Sequence, residues 1–278
     1  MEKKIALVTG ASSGIGEATA HSLRKAGFTV YAAARRVDRM TALADDGVKT
    51  VSLDVTDDGS ARAVVEQIIA VEGRLDVLVN NAGYGSYGAL EEVPLSEAQA
   101  QLDVNVLGLA RMTQLVLPQM RAQRSGRIIN ISSMGGRFAA PLGAWYHASK
   151  FAVEALSDAL RIEVAPFGID VVVIEPGSIR TEWGAIAAGN LQAVSSDGPY
   201  SALAAAVGTT LANTSRPGAR MTSGPGVVAR AVAKAATTRR PRTRYLIGFG
   251  AKPVAVLRRL LPDRAFDAVI TRAFGVGV

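Results

Sequence analysis

Tyr146 and Lys150 stand four residues apart in Tyr146-His147-Ala148-Ser149-Lys150. On a helix that spacing puts both side chains on one face. An ammonium beside a phenol favours the phenolate and draws down a hydroxyl pKa that starts near about 10. A phenol so tuned can give or take a proton at a hydroxyl or carbonyl oxygen near neutral pH. Alone, a Tyr-x3-Lys pair is common and decides nothing; its weight comes from what accompanies it.

Near the start of the chain a short apolar run enters Thr9-Gly10-Ala11-Ser12-Ser13-Gly14-Ile15-Gly16. Glycines in such a turn let backbone approach a phosphate, and a helix opening there offers free N–H groups and a positive dipole end to a pyrophosphate. The spacing is Gly-x3-Gly-x-Gly, not Gly-x-Gly-x2-Gly, and by itself it reads equally as an ordinary strand–helix turn. The second apolar run ends Tyr31-Ala32-Ala33-Ala34-Arg35-Arg36, with no acid before Asp38. An acid at that place would bond a ribose 2′-hydroxyl and repel a 2′-phosphate. Arg35 and Arg36 instead offer forked donors to a phosphate, which points to NADP(H); the simpler role is two arginines opening a solvated helix. Asp54, in Leu53-Asp54-Val55, could accept a hydrogen bond from an adenine amino group or belong to a helix N-cap region.

These residues need a frame to bring them together. Short apolar runs at 5–9, 29–34, 50–53, 77–80, 127–132, 170–175 and 244–247 alternate with helical stretches near 14–26, 57–71, 97–122, 148–165 and 225–238. Most of the runs lack strict apolar/polar alternation, as expected of strands buried on both faces of a parallel sheet. The pattern predicts a single α/β domain over residues 1–278, a doubly wound Rossmann-type parallel sheet with helices on both faces. Residues 184–226, rich in Ala, Gly, Ser and Thr with three prolines, interrupt the rhythm and are expected to form an irregular, mobile substrate cap. A helical extension is expected at about 251–275.

Composition narrows the chemistry. There are no cysteines and only two histidines, His21 and His147, without metal-ligand spacing, so no metal site is expected. The N-terminal apolar run is too short for a signal peptide and no stretch is long enough to span a membrane, so a cytoplasmic protein is expected. The net charge of +7 is uneven: residues 201–278 carry 13 Lys+Arg against 2 Asp+Glu. The front of the chain is acidic, and no nucleic-acid partner is expected.

The order of Thr9–Gly16, Asp54, Asn81-Ala82-Gly83, Asn105, Ser133, Tyr146, Lys150 and Pro176-Gly177 with Thr181 resembles the short-chain dehydrogenase/reductase family. The likeness covers residues 5–181. "YAAARR", "NNAGYG", "APFGI" and "EPG" look most like the subgroup near 17β-hydroxysteroid and retinol dehydrogenases. The resemblance implies that Tyr146 protonates the carbonyl oxygen during reduction and that Ser133 holds that oxygen, with Ser132 as the neighbouring alternative. It implies that Lys150 lowers the tyrosine pKa and binds the nicotinamide ribose, and that Asn105 fixes a water linking Lys150 to solvent. The cofactor would lie along Gly10, Ser12, Ser13, Gly14, Ile15, Gly16, Arg35, Arg36, Asp54, Val55, Asn81, Ala82 and Gly83. Asn81 would sit by the adenosine ribose, and Pro176, Gly177, Ile179 and Thr181 would cradle the nicotinamide. It also implies a homo-oligomer, dimer or tetramer, although about thirty residues beyond 247 exceed the simplest members and weaken that inference. Two rival readings are a protein that senses NADP(H) without turnover, against which the intact Ser133, Tyr146 and Lys150 speak, and an epimerase or dehydratase, which usually carries a different Gly turn and a larger C-terminal domain.

Tyr84, Met134, Phe138, Leu142 and Trp183 are candidate substrate-lining residues, mostly apolar, and favour a lipophilic ketone, aldehyde or alcohol; each could equally be core. Arg137 could bind an acid group or simply be solvated. In the tail, Val254, Leu257 and Leu261, then Phe266, Val269 and Ile270, fall at helical spacing among Arg258, Arg259, Arg264 and Arg272. Such helices usually pack their apolar faces on the core or on another subunit; a basic amphipathic helix can also lie on an anionic membrane.

Overall fold

The computed structural model describes residues 3–276. Seven strands form one sheet: β1 (Ile5–Thr9), β2 (Thr29–Ala34), β3 (Lys49–Ser52), β4 (Val77–Asn80), β5 (Gly126–Ile131), β6 (Ile169–Pro176) and β7 (Arg244–Ile247). Their order is β3-β2-β1-β4-β5-β6-β7, and every pairing is parallel. The chain reverses its direction of winding between β1 and β4, the place where doubly wound sheets open a crevice at their carboxyl ends.

Helices cover both faces. Ala6 and Val8 of β1 point to one core, where α1 (Gly14–Lys25) and α9 (Gly226–Thr237) pack through Ala20, Leu23, Val228 and Val232. Ile5 and Leu7 point to the other, filled by Val64 and Ile68 of α3 (Asp58–Glu72) and Met112, Val116 and Met120 of α5 (Leu109–Gln123). Successive residues of the central strands thus enter opposite cores, so these runs are mostly apolar and show no strict alternation.

Several boundaries differ from the sequence reading. The single helix expected at 97–122 is α4 (Leu95–Leu102), a π-helical turn (Asp103–Gly108) and α5. The helix expected from 148 is α6 (Ala144–Val164), which takes in Tyr146. After β2, Arg36 opens a short 3₁₀ turn (Val37–Met40) that leads into α2 (Thr41–Asp45). Most of the expected irregular cap is ordered as two helices, α7 (Trp183–Ser195) and α8 (Ser201–Ser215), which bury Ala187, Leu191, Ala204, Val207 and Leu211. Alanine is the strongest helix former; the interspersed Gly, Ser and Thr concealed that preference in the sequence. At the C-terminal end lie α10 (Ala251–Leu260) and α11 (Asp263–Ala273). The inner side of α11 packs Phe266 and Ile270 against Phe138 and Ala140.

Candidate active site

The first strand–helix turn is built for close approach. Gly10 and Gly14 have φ of +65° and +58°, a left-handed region that disfavours side chains. The Ser13 side chain makes no capping bond to α1, so the first N–H groups of that helix remain available as donors. Thr9 Oγ1 accepts hydrogen bonds from the Asn81 and Ala82 backbone N–H groups, both at 3.0 Å. The Asn81 amide donates to the carbonyls of Thr9 and Gly10 at 2.9 and 3.0 Å. The side chain of Asn81 therefore clamps the turn. A Cβ on Gly16 would stand 2.3 Å from the Gly10 carbonyl oxygen and 2.5 Å from the Asn81 amide nitrogen. Gly16→Ala must displace the turn at about 1–3 kcal/mol. We expect roughly tenfold weaker binding of a nicotinamide dinucleotide with unchanged secondary structure, read by fluorescence titration and circular dichroism; unaltered affinity would show that the turn does not hold it.

At the end of β2, Arg35 and Arg36 are exposed and line the same cavity as the turn. One oxygen of Asp54 accepts from the backbone N–H and hydroxyl of Thr56, at 2.9 and 2.7 Å. The N-cap of α3 is Asp57, not Asp54.

Tyr146 is 8% exposed and packs in a three-ring cluster with Trp183 and Tyr87, at centroid distances of 5.0 and 5.8 Å. Its hydroxyl faces Ser133, which draws its pKa down. Ser132 is directed elsewhere: its Oγ is buried beside Gly136, 2.9 Å from where a Cβ would stand. Of the two candidate serines, Ser133 is the one that reaches the phenol. Lys150 Nζ donates to the Ile131 carbonyl at 3.0 Å and sits 6.0 Å from the Tyr146 ring centroid.

The electrostatics correct one expectation. Burial pushes the Tyr146 hydroxyl up to about 12, with Ser133 pulling the other way. Burial also brings Lys150 down to about 8, against the attraction of Glu154. Loss of water dominates at both groups, and the phenol stands above its ordinary value rather than below it.

Asn105 lies in the π-helical turn and is 1% exposed. Its Oδ1 accepts from the Tyr84 N–H at 3.0 Å. Its amide donates to the Tyr84 carbonyl at 2.9 Å and to Ser149 Oγ at 3.0 Å. It joins the 83–84 loop to α6, one residue from Lys150. Beyond β6, Gly177 allows contact no other residue would: a Cβ there would stand 2.0 Å from the Phe249 carbonyl oxygen. Thr181 then meets the Gly turn, its methyl 3.0 Å from the Cβ position of Gly14.

A single cavity of about 1520 Å³ collects these parts. Of the residues expected from sequence, Gly10, Ser12, Ser13, Gly14, Ile15, Arg35, Arg36, Asp54, Val55, Asn81, Ala82, Gly83, Ser133, Tyr146, Lys150, Pro176, Gly177, Ile179 and Thr181 line it. Gly16 and Asn105 stay behind its wall. Tyr84, Met134, Phe138 and Trp183 contribute to the lining; Leu142 instead packs beside the cluster of Tyr87 and Leu191. Arg137 is not in the wall. It donates at 2.6 Å to Glu175, which is fully buried, and is therefore engaged within the chain rather than offered to an acid.

Leu211 of the expected 184–226 cap faces the cavity, and sequence reading missed Tyr87, His147 and Phe274, which face it too. His147 follows the tyrosine directly, and its ring ties down the serine turn. Nε2 accepts from Ala140 N–H at 3.0 Å, so Nδ1 carries the proton shared with the Gly135 carbonyl at 2.9 Å. Gly135 N–H in turn donates to Ser133 Oγ at 3.0 Å. Adjacency to Tyr146 was the available signal; Phe274 comes from the end of α11, far along the chain, and left none.

The chain belongs to the short-chain dehydrogenase family, whose family model matches residues 4–188. It is a Rossmann-type oxidoreductase of that family. Among its relatives, 3-ketodihydrosphingosine reductase of Bacteroides thetaiotaomicron is 46% identical over 181 residues, 65% of this chain and 66% of that one. NADPH-dependent 3-dehydrocapnine reductase of Ornithobacterium rhinotracheale is 33% identical over 96% of this chain and 95% of its own. The crystal structure of a short-chain dehydrogenase from Streptomyces avermitilis superimposes with a TM-score of 0.80 at 35% identity, covering 98% and 96% of the two chains. Solved chains of similar fold hold NADP in some cases and NAD in another.

Proposed function

We propose that this oxidoreductase uses NADP(H) to interconvert a carbonyl and an alcohol on a lipophilic substrate, with Tyr146 as general acid/base. The observation that carries this is that Ser133, Tyr146 and Lys150 share the wall of one cavity with the Gly turn and Arg35 and Arg36. The cradle fits a dinucleotide: left-handed glycines, open N–H groups of α1, and a strand end bearing two arginines and no acid. Bound NADPH supplies the hydride.

The chain's own residues manage the oxygen and its proton. Tyr146, pushed up to about 12, is protonated at neutral pH and can donate to a carbonyl oxygen. Ser133, already held by Gly135 N–H, orients that oxygen. Lys150, charged below about 8, favours the phenolate left when the proton departs. Gly10, Ser12, Ser13, Gly14 and Ile15 face the pyrophosphate and Arg35 and Arg36 the 2′-phosphate. Asp54 and Val55 take the adenine, using the carboxylate oxygen not bonded to Thr56. Asn81, Ala82 and Gly83 lie along the adenosine side, and Pro176, Gly177, Ile179 and Thr181 enclose the nicotinamide.

Replacing Arg35 and Arg36 with Ala is expected to raise the KM for NADPH at least tenfold while leaving that for NADH nearly unchanged. Hydrogen bonds to a charged group are worth about 1.5–3 kcal/mol each. Equal losses for both cofactors would remove the 2′-phosphate role.

The substrate side is apolar: Tyr87, Phe138, Trp183, Ile186, Leu211 and Phe274 line it. This supports a lipophilic ketone, aldehyde or alcohol. The subgroup likeness to 17β-hydroxysteroid and retinol dehydrogenases agrees with that class, and the reductases named above widen it to other lipophilic ketones. NADPH oxidation with a panel of steroidal, retinoid and other apolar carbonyl compounds tests it; turnover confined to small polar carbonyls would overturn it. The same reading makes the enzyme a cytoplasmic homo-oligomer, whose mass light scattering measures.

A further inference from the structure

The second of the two C-terminal helices buries its apolar side, but the first leaves apolar residues outward. Val256 is 55% exposed and Leu260 71%. They are four residues apart, so they share a stripe of α10. Lys252 and Arg259, also exposed, fall on that stripe at helical spacing, four residues before and three after Val256. Val269, 41% exposed, and the exposed Arg264 and Arg272 extend the pattern along α11. The outward stripe of an ordinary surface helix is polar; this one interleaves aliphatic and basic side chains.

The charges are free to meet a partner. Arg258 is engaged, pairing with Asp263 at 2.8 Å and lying over the Phe266 ring. Among the described residues, Lys252, Arg259, Arg264 and Arg272 make no ion pair. The face also adjoins the cavity, whose wall includes Phe249 and Val254 from the start of this segment and Ala273 and Phe274 from its end.

We propose that the outward face of α10 and α11 docks on an anionic lipid surface, with Val256 and Leu260 entering the interface and Lys252, Arg259, Arg264 and Arg272 meeting lipid phosphates. A second copy of the chain fits less well. A two-fold contact would set this basic patch against itself. An acidic polymer would match the charges but leave Val256 and Leu260 in water. A lipid headgroup layer satisfies both. Docking is independent of the catalytic reading, although it would place the cavity wall formed by Phe249 and Phe274 near a reservoir of lipophilic compounds.

The test is co-sedimentation of the full-length protein with vesicles of equal parts phosphatidylglycerol and phosphatidylcholine, and with phosphatidylcholine alone, at low and physiological salt. Binding is expected to the anionic vesicles only, weakening with salt. Each basic residue near such a surface is worth roughly fivefold in partition, so Lys252→Gln with Arg259→Gln should lose about twenty-five-fold. Val256→Ser with Leu260→Ser should lose roughly tenfold or more, with thermal stability and solution mass unchanged. Protein that stays in the supernatant with anionic vesicles at low salt overturns the proposal. So does binding that neither pair of substitutions weakens. A solution mass that falls in the serine variant also overturns it, and makes the face a subunit contact.

Discussion

Tyr146→Phe is expected to bind NADPH as the parent does and to lose about 10²–10⁴-fold in kcat, the usual contribution of a positioned general acid. The ring packs against those of Tyr87 and Trp183, and removing the hydroxyl alters neither contact. What disappears is the O–H beside Ser133 in the cavity wall. The loss should fall on kcat and kcat/KM alike, since proton donation is made only in the transition state. Steady-state kinetics with NADPH and any accepted ketone, beside a cofactor titration, provide the check. A variant within a few-fold of the parent would eliminate Tyr146 as the acid.

Lys150→Met is expected to separate activity from stability. The lysine ammonium is buried, and its pKa falls from 10.5 to about 8. A pKa lowered by folding means that the folded state prefers the neutral amine. Below about pH 8 the chain therefore carries a buried charge at a cost, and the cost fades as pH rises from about 8 to 10.5, where the unfolded chain loses the same proton. The difference corresponds to roughly 3 kcal/mol at pH 7. Methionine fills similar space without charge. The variant should unfold at higher denaturant concentration than the parent at pH 7, and its advantage should shrink towards pH 10. Turnover should fall at least about tenfold, because the positive charge that favours the departing phenolate is gone. A variant less stable than the parent at pH 7 would show that the Lys150–Ile131 bond, not the charge, dominates at this position.

These residues were legible because they lie in local patterns. Tyr146 and Lys150 advertise one helix face, and the Gly10–Gly16 turn advertises a strand feeding a helix. The double-faced strands were legible for the same reason: burial on both sides leaves uninterrupted apolar runs. The unread parts depend on distance. Phe274 reaches the cavity from a helix more than 120 residues beyond Tyr146, with no spacing to link them. Arg137 looked available because its partner, Glu175, arrives on another strand. The tyrosine's pKa was misjudged for a related reason: sequence spacing shows the neighbouring ammonium but not the dehydration that outweighs it.

The π-helical turn at Asp103–Gly108 has a consequence for changes in chain length. A residue gained or lost in an α-helix rotates everything beyond it by about 100°. The wide turn absorbs one residue's worth of that rotation, so α4 and α5 face their neighbours out of phase with a regular helix. Substitutions on its exposed side, such as at Leu107, leave that phase intact. Deletion of one residue anywhere in 103–108 would not. It would restore regular winding and swing Asn105 off Tyr84, or turn α5 and its buried Met112, Val116 and Met120 away from the sheet. Outside Asn105 and Gly108 the segment should therefore tolerate changes of side chain while resisting insertion and deletion.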